Sequence, residues 1–185
     1  GMDSQFKSDH PTLLLGEVAF DFPEGTHAVG RLDKNSEGLL ILTTNKKITS
    51  LLFQGKSPHK RVYLVQVKYN MNEENLHCLR TGVSIRIRGG DYYTTPPCDV
   101  RFAEKPHNLF APPVQYPEYH PTTWLTITLM EGKYHQVRKM VSAVGHRCLR
   151  LIRISIEIML LNELQPGHVQ EFTEEAFFEL LKLQR

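Results

Sequence analysis

The chain has 185 residues, a formal net charge of +2 and 41% hydrophobic residues, the length and balance of an ordinary globular protein with one core or two small lobes sharing a sheet. No apolar run reaches the roughly 18 residues needed to span a bilayer, and no signal peptide is visible. Cys78, Cys98 and Cys148 are scattered and lack CxxC spacing, which argues against a disulfide framework or zinc site and suits a reducing cytoplasm.

Gly1 before Met2 reads as a scar of tag removal. Residues 1–29 carry few periodic signals. His10-Pro11 and Phe22-Pro23-Glu24-Gly25 are turns around a short apolar piece, Leu13 to Val18. Asn35-Ser36-Glu37-Gly38 is a further turn, feeding an apolar run from Leu39 to Leu42 that reads as one buried strand. Asn45 is placed to cap a short helix that buries Ile48, Leu51 and Leu52. Arg61 to Tyr69 alternates as a strand, with Tyr63, Val65 and Val67 on one face. Asn72 caps a helix that buries Leu76 and Leu79 and stops at Gly82. Val83–Arg88 and Tyr92–Thr95 form a hairpin about Gly89-Gly90-Asp91, its outer face basic through Arg86 and Arg88.

Five of the eleven prolines fall within residues 105–121, which predicts a surface loop. Trp124 to Met130 is a strand. Glu131-Gly132 turns it into a helix over Tyr134–Val144, with Val137, Met140, Val141 and Val144 on one stripe and Gly145 as its stop. Arg147 to Ile156 is a β-branched, alternating strand, and Ile158–Leu161 continues the sheet after a kink. Gln165-Pro166-Gly167 leads into a short strand, and Thr173 caps the final helix. Strands outnumber helices and hairpins are common. The fold class is α+β, with a mixed, mainly antiparallel central sheet flanked by helices.

Charge is unevenly spread. Residues 131–153 carry six bases (Lys133, Arg138, Lys139, Arg147, Arg150 and Arg153) against Glu131, whereas residues 163–185 carry five acids against two bases. A basic segment of this kind attracts phosphates, although solvated charge alone also produces such a pattern.

The segment richest in chemistry is Gly30-Arg31-Leu32-Asp33, followed by Ser36-Glu37-Gly38-Leu39-Leu40-Ile41-Leu42-Thr43-Thr44-Asn45. A carboxylate just ahead of a buried strand is held rigidly at a sheet edge. A nucleophilic carboxylate must stay ionised, which a neighbouring guanidinium favours. An Asp-initiated surface turn explains the same spacing.

The wording of this segment resembles the catalytic signature of the RsuA/RluB/RluE/RluF-type RNA pseudouridine synthases, GRLD followed by SEGLLLLTN. Glu131 to Met140 with Ala143-Val144-Gly145 resembles that family's EGKYHQVRRM…AVG block, and Leu149 to Ile156 resembles its L-x-R-x-x-I stretch. The matches run in family order over nearly the whole chain. Ser4-Gln5-Phe6 and the SEGLL wording lean toward the RluE branch, which modifies large-subunit rRNA.

The resemblance implies a single pseudouridine synthase catalytic domain over 1–185 that isomerises uridine in ribosomal RNA, of the large subunit (23S), to pseudouridine. It implies a cytoplasmic protein, expected to be a monomer, with no cofactor and no metal, because substrate and product are isomers. Asp33 matches the family's essential aspartate, and three routes suit it: attack at ribose C1′, addition to the uracil ring, or abstraction of a ribose proton. Tyr63 matches a tyrosine that packs against the target base, Arg138 a base that pairs with the aspartate, and Arg31 an arginine that helps hold the flipped nucleotide. Arg86, Arg88, Lys133, Lys139, Arg147, Arg150 and Arg153 are expected RNA contacts.

Departures from the pattern are visible. The family's first strand with its Lys-Pro pair, and the S4-type RNA-binding domain of many members, have no counterpart here. Arg61 stands in place of a lysine before Tyr63, Lys46 follows Asn45 where an acid is common, and Glu157 replaces a usual glycine. One alternative is a catalytically silent rRNA-binding module of the same fold. Another, a Mg²⁺-dependent nuclease on Asp33 and Glu37, lacks the further convergent carboxylates such sites use.

Overall fold

The computed structural model describes residues 2–53, 58–112 and 120–183. The chain divides into two compact units, one made of residues 1–59 and 153–185, the other of residues 60–152. Part of the proline-rich loop expected at 105–121, including Pro113 and Pro117, lies outside the described residues.

In the 60–152 unit, β4 (Arg61–Lys68) pairs antiparallel with β8 (Thr122–Leu129) along its whole length, Arg61 opposite Leu129 and Lys68 opposite Thr122. Strand β7 (Asp99–Ala103) adds to the far side of β8, and β9 (Cys148–Ile156), through its residues in this unit, lies beside β4. Helix α2 (Glu73–Thr81) begins as expected. The Asn72 side chain accepts from the Asn75 N–H at 2.8 Å, satisfying a donor that the first helical turn leaves open. Helix α3 (Gln136–Ala143) starts two residues later than its periodicity suggests, because His135 takes a left-handed conformation. The short hairpin β5 (Ser84–Arg86) and β6 (Tyr92–Thr94) packs against α3.

The apolar stripes of these elements meet in one core. Val65 and Val67 of β4, Leu125 and Ile127 of β8, Leu76 and Leu79 of α2, and Met140 and Val141 of α3 are all completely buried. Each such side chain contributes roughly 2 kcal/mol by leaving water. Cys98 and Cys148 pack against that core. Burial pushes the Cys98 thiol up to about 11, helped by the Asp99 and Glu131 charges. Burial also pushes the Cys148 thiol up to about 11, opposed by the Arg138 guanidinium.

The other unit has its own core, in which Val29, Ile41, Ile48, Leu52, Ile156, Phe178 and Leu181 are buried. Helix α1 (Lys47–Phe53) is capped by Asn45 as expected, its Oδ1 accepting from the Lys47 N–H at 3.0 Å. Helix α4 (Glu174–Leu180) is capped by Thr173.

The apolar run from Leu39 is not one strand. Leu39 and Leu40 lie between β2 (Glu37–Gly38), which pairs with β9, and β3 (Ile41–Thr43), which takes the second half of the run and pairs antiparallel with β1 (His27–Val29). Gly38 makes the split possible. Its φ is +98°, and a Cβ there would lie 2.4 Å from the Arg153 carbonyl oxygen. The Leu39 N–H donates to that same oxygen at 2.9 Å.

At the C-terminal end Met159–Leu160 (β10) continues the sheet, folding back antiparallel on Ile156 and Ser155 through a tight turn at Glu157, whose φ is +51°. The short strand expected after Gly167 is corrected: no strand follows Gly167 among the described residues. Glu157 keeps this glycine-like conformation while buried, with Nδ1 of His59 at 3.4 Å and Nζ of Lys182 at 3.2 Å from its carboxylate oxygens.

Gly38→Ala should lower stability by about 2–4 kcal/mol in urea unfolding, from the positive φ, the clash and the strained Leu39 bond. In thiol alkylation at pH 7.5, exposed Cys78 should label readily. Cys98 and Cys148 should stay largely protonated and react slowly, gaining rate as the pH climbs toward 11 or once the chain unfolds.

Candidate active site

Asp33 stands in the loop between β1 and β2, and two structural devices hold that loop. The hydroxyl of buried Ser4 brackets Leu32, donating to its carbonyl at 3.0 Å and accepting from its N–H at 3.0 Å. Immediately afterwards the Ser36 N–H donates to the Asp33 carbonyl at 2.7 Å, closing a four-residue turn. Asp33 is half-buried, whereas Arg31 is exposed on the same loop. Both bonds of Ser4 join positions 28 residues apart, a brace that sequence reasoning missed. Ser4 has no spacing signal that would have revealed it.

The other end of this loop is held from β9. Nε of buried Arg153 donates to the Leu39 carbonyl at 2.8 Å while the Arg153 carbonyl accepts from Leu39. Arg153 therefore pins the exit of the Asp33 loop from inside the unit. Expected as an RNA contact, Arg153 is buried, with its Nε donated to a backbone carbonyl that burial would otherwise leave poorly solvated.

In the 60–152 unit, Tyr63 lies on β4 opposite Ile127 and is partly buried against the core. Arg138 lies on α3, half-exposed, with its charge felt at Cys148. The start of α3 is organised by one carboxylate. Glu131 accepts from the Tyr93 hydroxyl at 2.7 Å and from the Gln136 amide at 2.6 Å. Gln136, buried, in turn accepts from the Lys133 N–H at 2.8 Å. The bond to Glu131, then desolvation and the carboxylate's charge, raise the Tyr93 phenol above its ordinary value. This network was also missed. Tyr93 appeared only as a hairpin residue, and Glu131 and Gln136 only as letters in a family block.

The expected RNA contacts of this unit separate into groups. Arg86, Arg88 and Lys133 are exposed, and Lys139 is half-exposed. Lys133 Nζ lies 4.8 Å from the Tyr93 ring centroid, which brings the 131–139 segment to the β5–β6 hairpin. Arg147 is exposed but sits at the other end of β4, where its carbonyl accepts from Lys68 N–H. Seven residue steps separate it from the Arg61 end, roughly 23 Å of strand. Arg150 is buried; it donates to the Phe110 carbonyl at 2.8 Å, with its guanidinium 5.0 Å from that ring's centroid. Arg150, like Arg153, is an expected RNA contact that the fold places in a buried position, tied to a backbone carbonyl. Among the described residues no three His, Cys, Asp or Glu side chains converge on a point that would hold a metal ion.

Comparison with known proteins agrees with the signature. The profile described as RNA pseudouridylate synthase matches residues 2–143. A ribosomal large subunit pseudouridine synthase E of Vibrio vulnificus is 39% identical over 148 residues, 80% of this chain and 61% of the relative. One from Xanthomonas axonopodis pv. citri is 36% identical over 170 residues, 90% of this chain and 86% of the relative. A ribosomal small subunit pseudouridine synthase A of Yersinia pestis is 29% identical over 171 residues, 90% of this chain and 63% of the relative. The chain thus spans about three fifths of the Vibrio relative's length and most of the Xanthomonas one. Among solved structures, a crystal structure of a pseudouridylate synthase superposes with a TM-score of 0.75 at 23% identity, covering 97% of this chain and 69% of that one, which supports the α+β fold. With the signature loop at Asp33 inside a match that runs across most of the chain, this protein belongs to the RNA pseudouridylate synthase family.

Proposed function

We propose that the chain isomerises uridine in ribosomal RNA, of the large subunit, to pseudouridine, with Asp33 as the nucleophile. The observation that carries this reading is the family match centred on Gly30-Arg31-Leu32-Asp33, a loop braced at both ends by Ser4 and Arg153. A nucleophile needs such bracing, because small displacements of a reacting group are costly in rate. The large-subunit assignment rests on the names of the Vibrio and Xanthomonas relatives.

In the reaction the C1′–N1 bond of uridine breaks, the uracil turns, and C1′ bonds to C5. The C5 proton is lost and N1 gains one, so no oxidant, reductant or co-substrate enters the balance. The uridine first leaves its stack, at a cost of a few kcal/mol. Exposed Arg86, Arg88 and Lys133, with Lys139 beside them, are the phosphate contacts that offset it, and Arg147 is a separate contact at the far end of β4. Tyr63 supplies a ring for the extruded base. Arg31 holds the nucleotide, and Arg138 pairs with the aspartate.

Asp33→Asn should abolish pseudouridine formation in unmodified ribosomal RNA while leaving thermal unfolding and RNA affinity nearly unchanged. Chemical mapping of pseudouridine in rRNA from cells carrying either form checks it, and undiminished modification by the variant removes the nucleophile. These five phosphate contacts should lower RNA affinity by about three and a half powers of ten per decade of added salt. A flat salt response in a filter-binding titration would remove the basic patch from the interface.

A further inference from the structure

The segment between β8 and α3 carries a feature that the proposed chemistry does not use. Tyr134 is 67% exposed, an unusual position for a large ring that contributes nothing to the core. The His135 ring lies against it, centroids 3.9 Å apart and planes inclined by 17°. His135 reaches that position through a left-handed backbone, φ 55° and ψ 30°, which residues other than glycine seldom adopt. Lys139 Nζ lies 5.2 Å from the Tyr134 centroid, and Lys133 Nζ lies 4.8 Å from that of Tyr93. On the adjoining hairpin, Tyr92 is 76% exposed and stands opposite Arg86. Of the acids nearby, Glu131 is engaged by Tyr93 and Gln136, and exposed Asp91 lies in the hairpin turn beside Tyr92.

Exposed rings alternating with cations, with the Glu131 carboxylate beside them turned to internal use, fit a polyanion that also offers flat faces. Single-stranded nucleic acid has both properties, since its bases are unstacked while its phosphates repeat between them. A duplex shows phosphates but keeps its base faces covered. We propose that Tyr134, backed by His135, is a stacking platform for an unpaired RNA base other than the isomerised uridine, with Lys133 and Lys139 on the phosphates beside it. This rests on the reading of the chain as an RNA-modifying enzyme and narrows its substrate to RNA that is single-stranded next to the target. On binding, the base takes the open face of the Tyr134 ring, and the Lys139 ammonium moves from the ring to the neighbouring phosphate.

The probe is a ten-nucleotide single-stranded RNA carrying 2-aminopurine, whose fluorescence falls when the base stacks, beside the same sequence as a duplex. The wild-type protein should quench the single strand and bind it more tightly than the duplex. Tyr134→Leu should lose about ten-fold in single-strand affinity together with the quench, whereas Tyr134→Phe keeps both. Lys133→Gln should reduce the salt slope by about 0.7, a change that Tyr134→Leu does not make. Because Tyr134 is exposed, both of its variants should melt with the wild type. The platform is overturned if Tyr134→Leu binds the single strand as the wild type does, or if Tyr134→Phe loses as much as Tyr134→Leu. Pseudouridine formation in unmodified rRNA, measured in parallel, separates the two readings. A wild type that modifies rRNA while Tyr134→Leu binds normally sinks the platform alone. A wild type that modifies none, while Tyr134→Leu loses binding, sinks the enzymatic reading and keeps the platform.

Discussion

Much of the candidate chemistry depends on the close approach of two backbones, Gly38 and Arg153. Without a side chain at 38, the chain leaving the Asp33 turn lies flat against β9 and exchanges hydrogen bonds with Arg153. That contact sets where β2 ends and lets β3 take a different partner, β1. It also commits Nε of the buried Arg153 to a carbonyl, so a residue that looks basic in one dimension is part of the frame in three. With Ser4 gripping Leu32 at the entrance, the loop bearing the carboxylate is tied at both ends while the carboxylate itself stays half-open.

A comparable economy governs the other unit. Glu131 is an acid in a basic segment, and its two oxygens are both used, one by a tyrosine of the hairpin and one by the first residue of α3. The Glu131–Gln136–Lys133 chain of bonds replaces an ordinary side-chain cap at the start of the helix. The His135 side chain makes no capping hydrogen bond, and its ring lies against Tyr134. The local fold thereby directs Lys133, Tyr134 and Lys139 outward from a rigid base. Rigid presentation matters for both phosphate contact and stacking, because mobile groups lose more entropy on binding.

Periodicity made the regular elements readable. β4, β8, α2 and α3 each carry a continuous apolar stripe, and Asn45, Asn72 and Thr173 announce their helices through capping chemistry. The segments that resisted were those in which tertiary contact overrides local preference. Leu39–Leu42 looks like one strand because nothing local says that its first half belongs beside β9. Strand β7 was not anticipated, since only Val100 of its five residues is buried and Asp99 and Arg101 face solvent. Arg150 and Arg153 were read as outward charges because alternation along a strand does not tell which face a second layer covers. Asp33, Tyr63 and Arg138 came from the wording of family blocks rather than from any physical signal. A carboxylate in a turn, a tyrosine on a strand and an arginine on a helix are each commonplace alone.

Glu157 illustrates how a departure from family wording can be absorbed. A left-handed position there favours glycine, and a longer side chain is tolerable because its carboxylate lies between His59 and Lys182, from the segment before β4 and the end of α4. The three positions are therefore coupled by contact in this chain. An α4 grafted without a cation at 182 would take one of the two flanking charges from an enclosed acid, so the end of the last helix is tied to a turn more than twenty residues earlier.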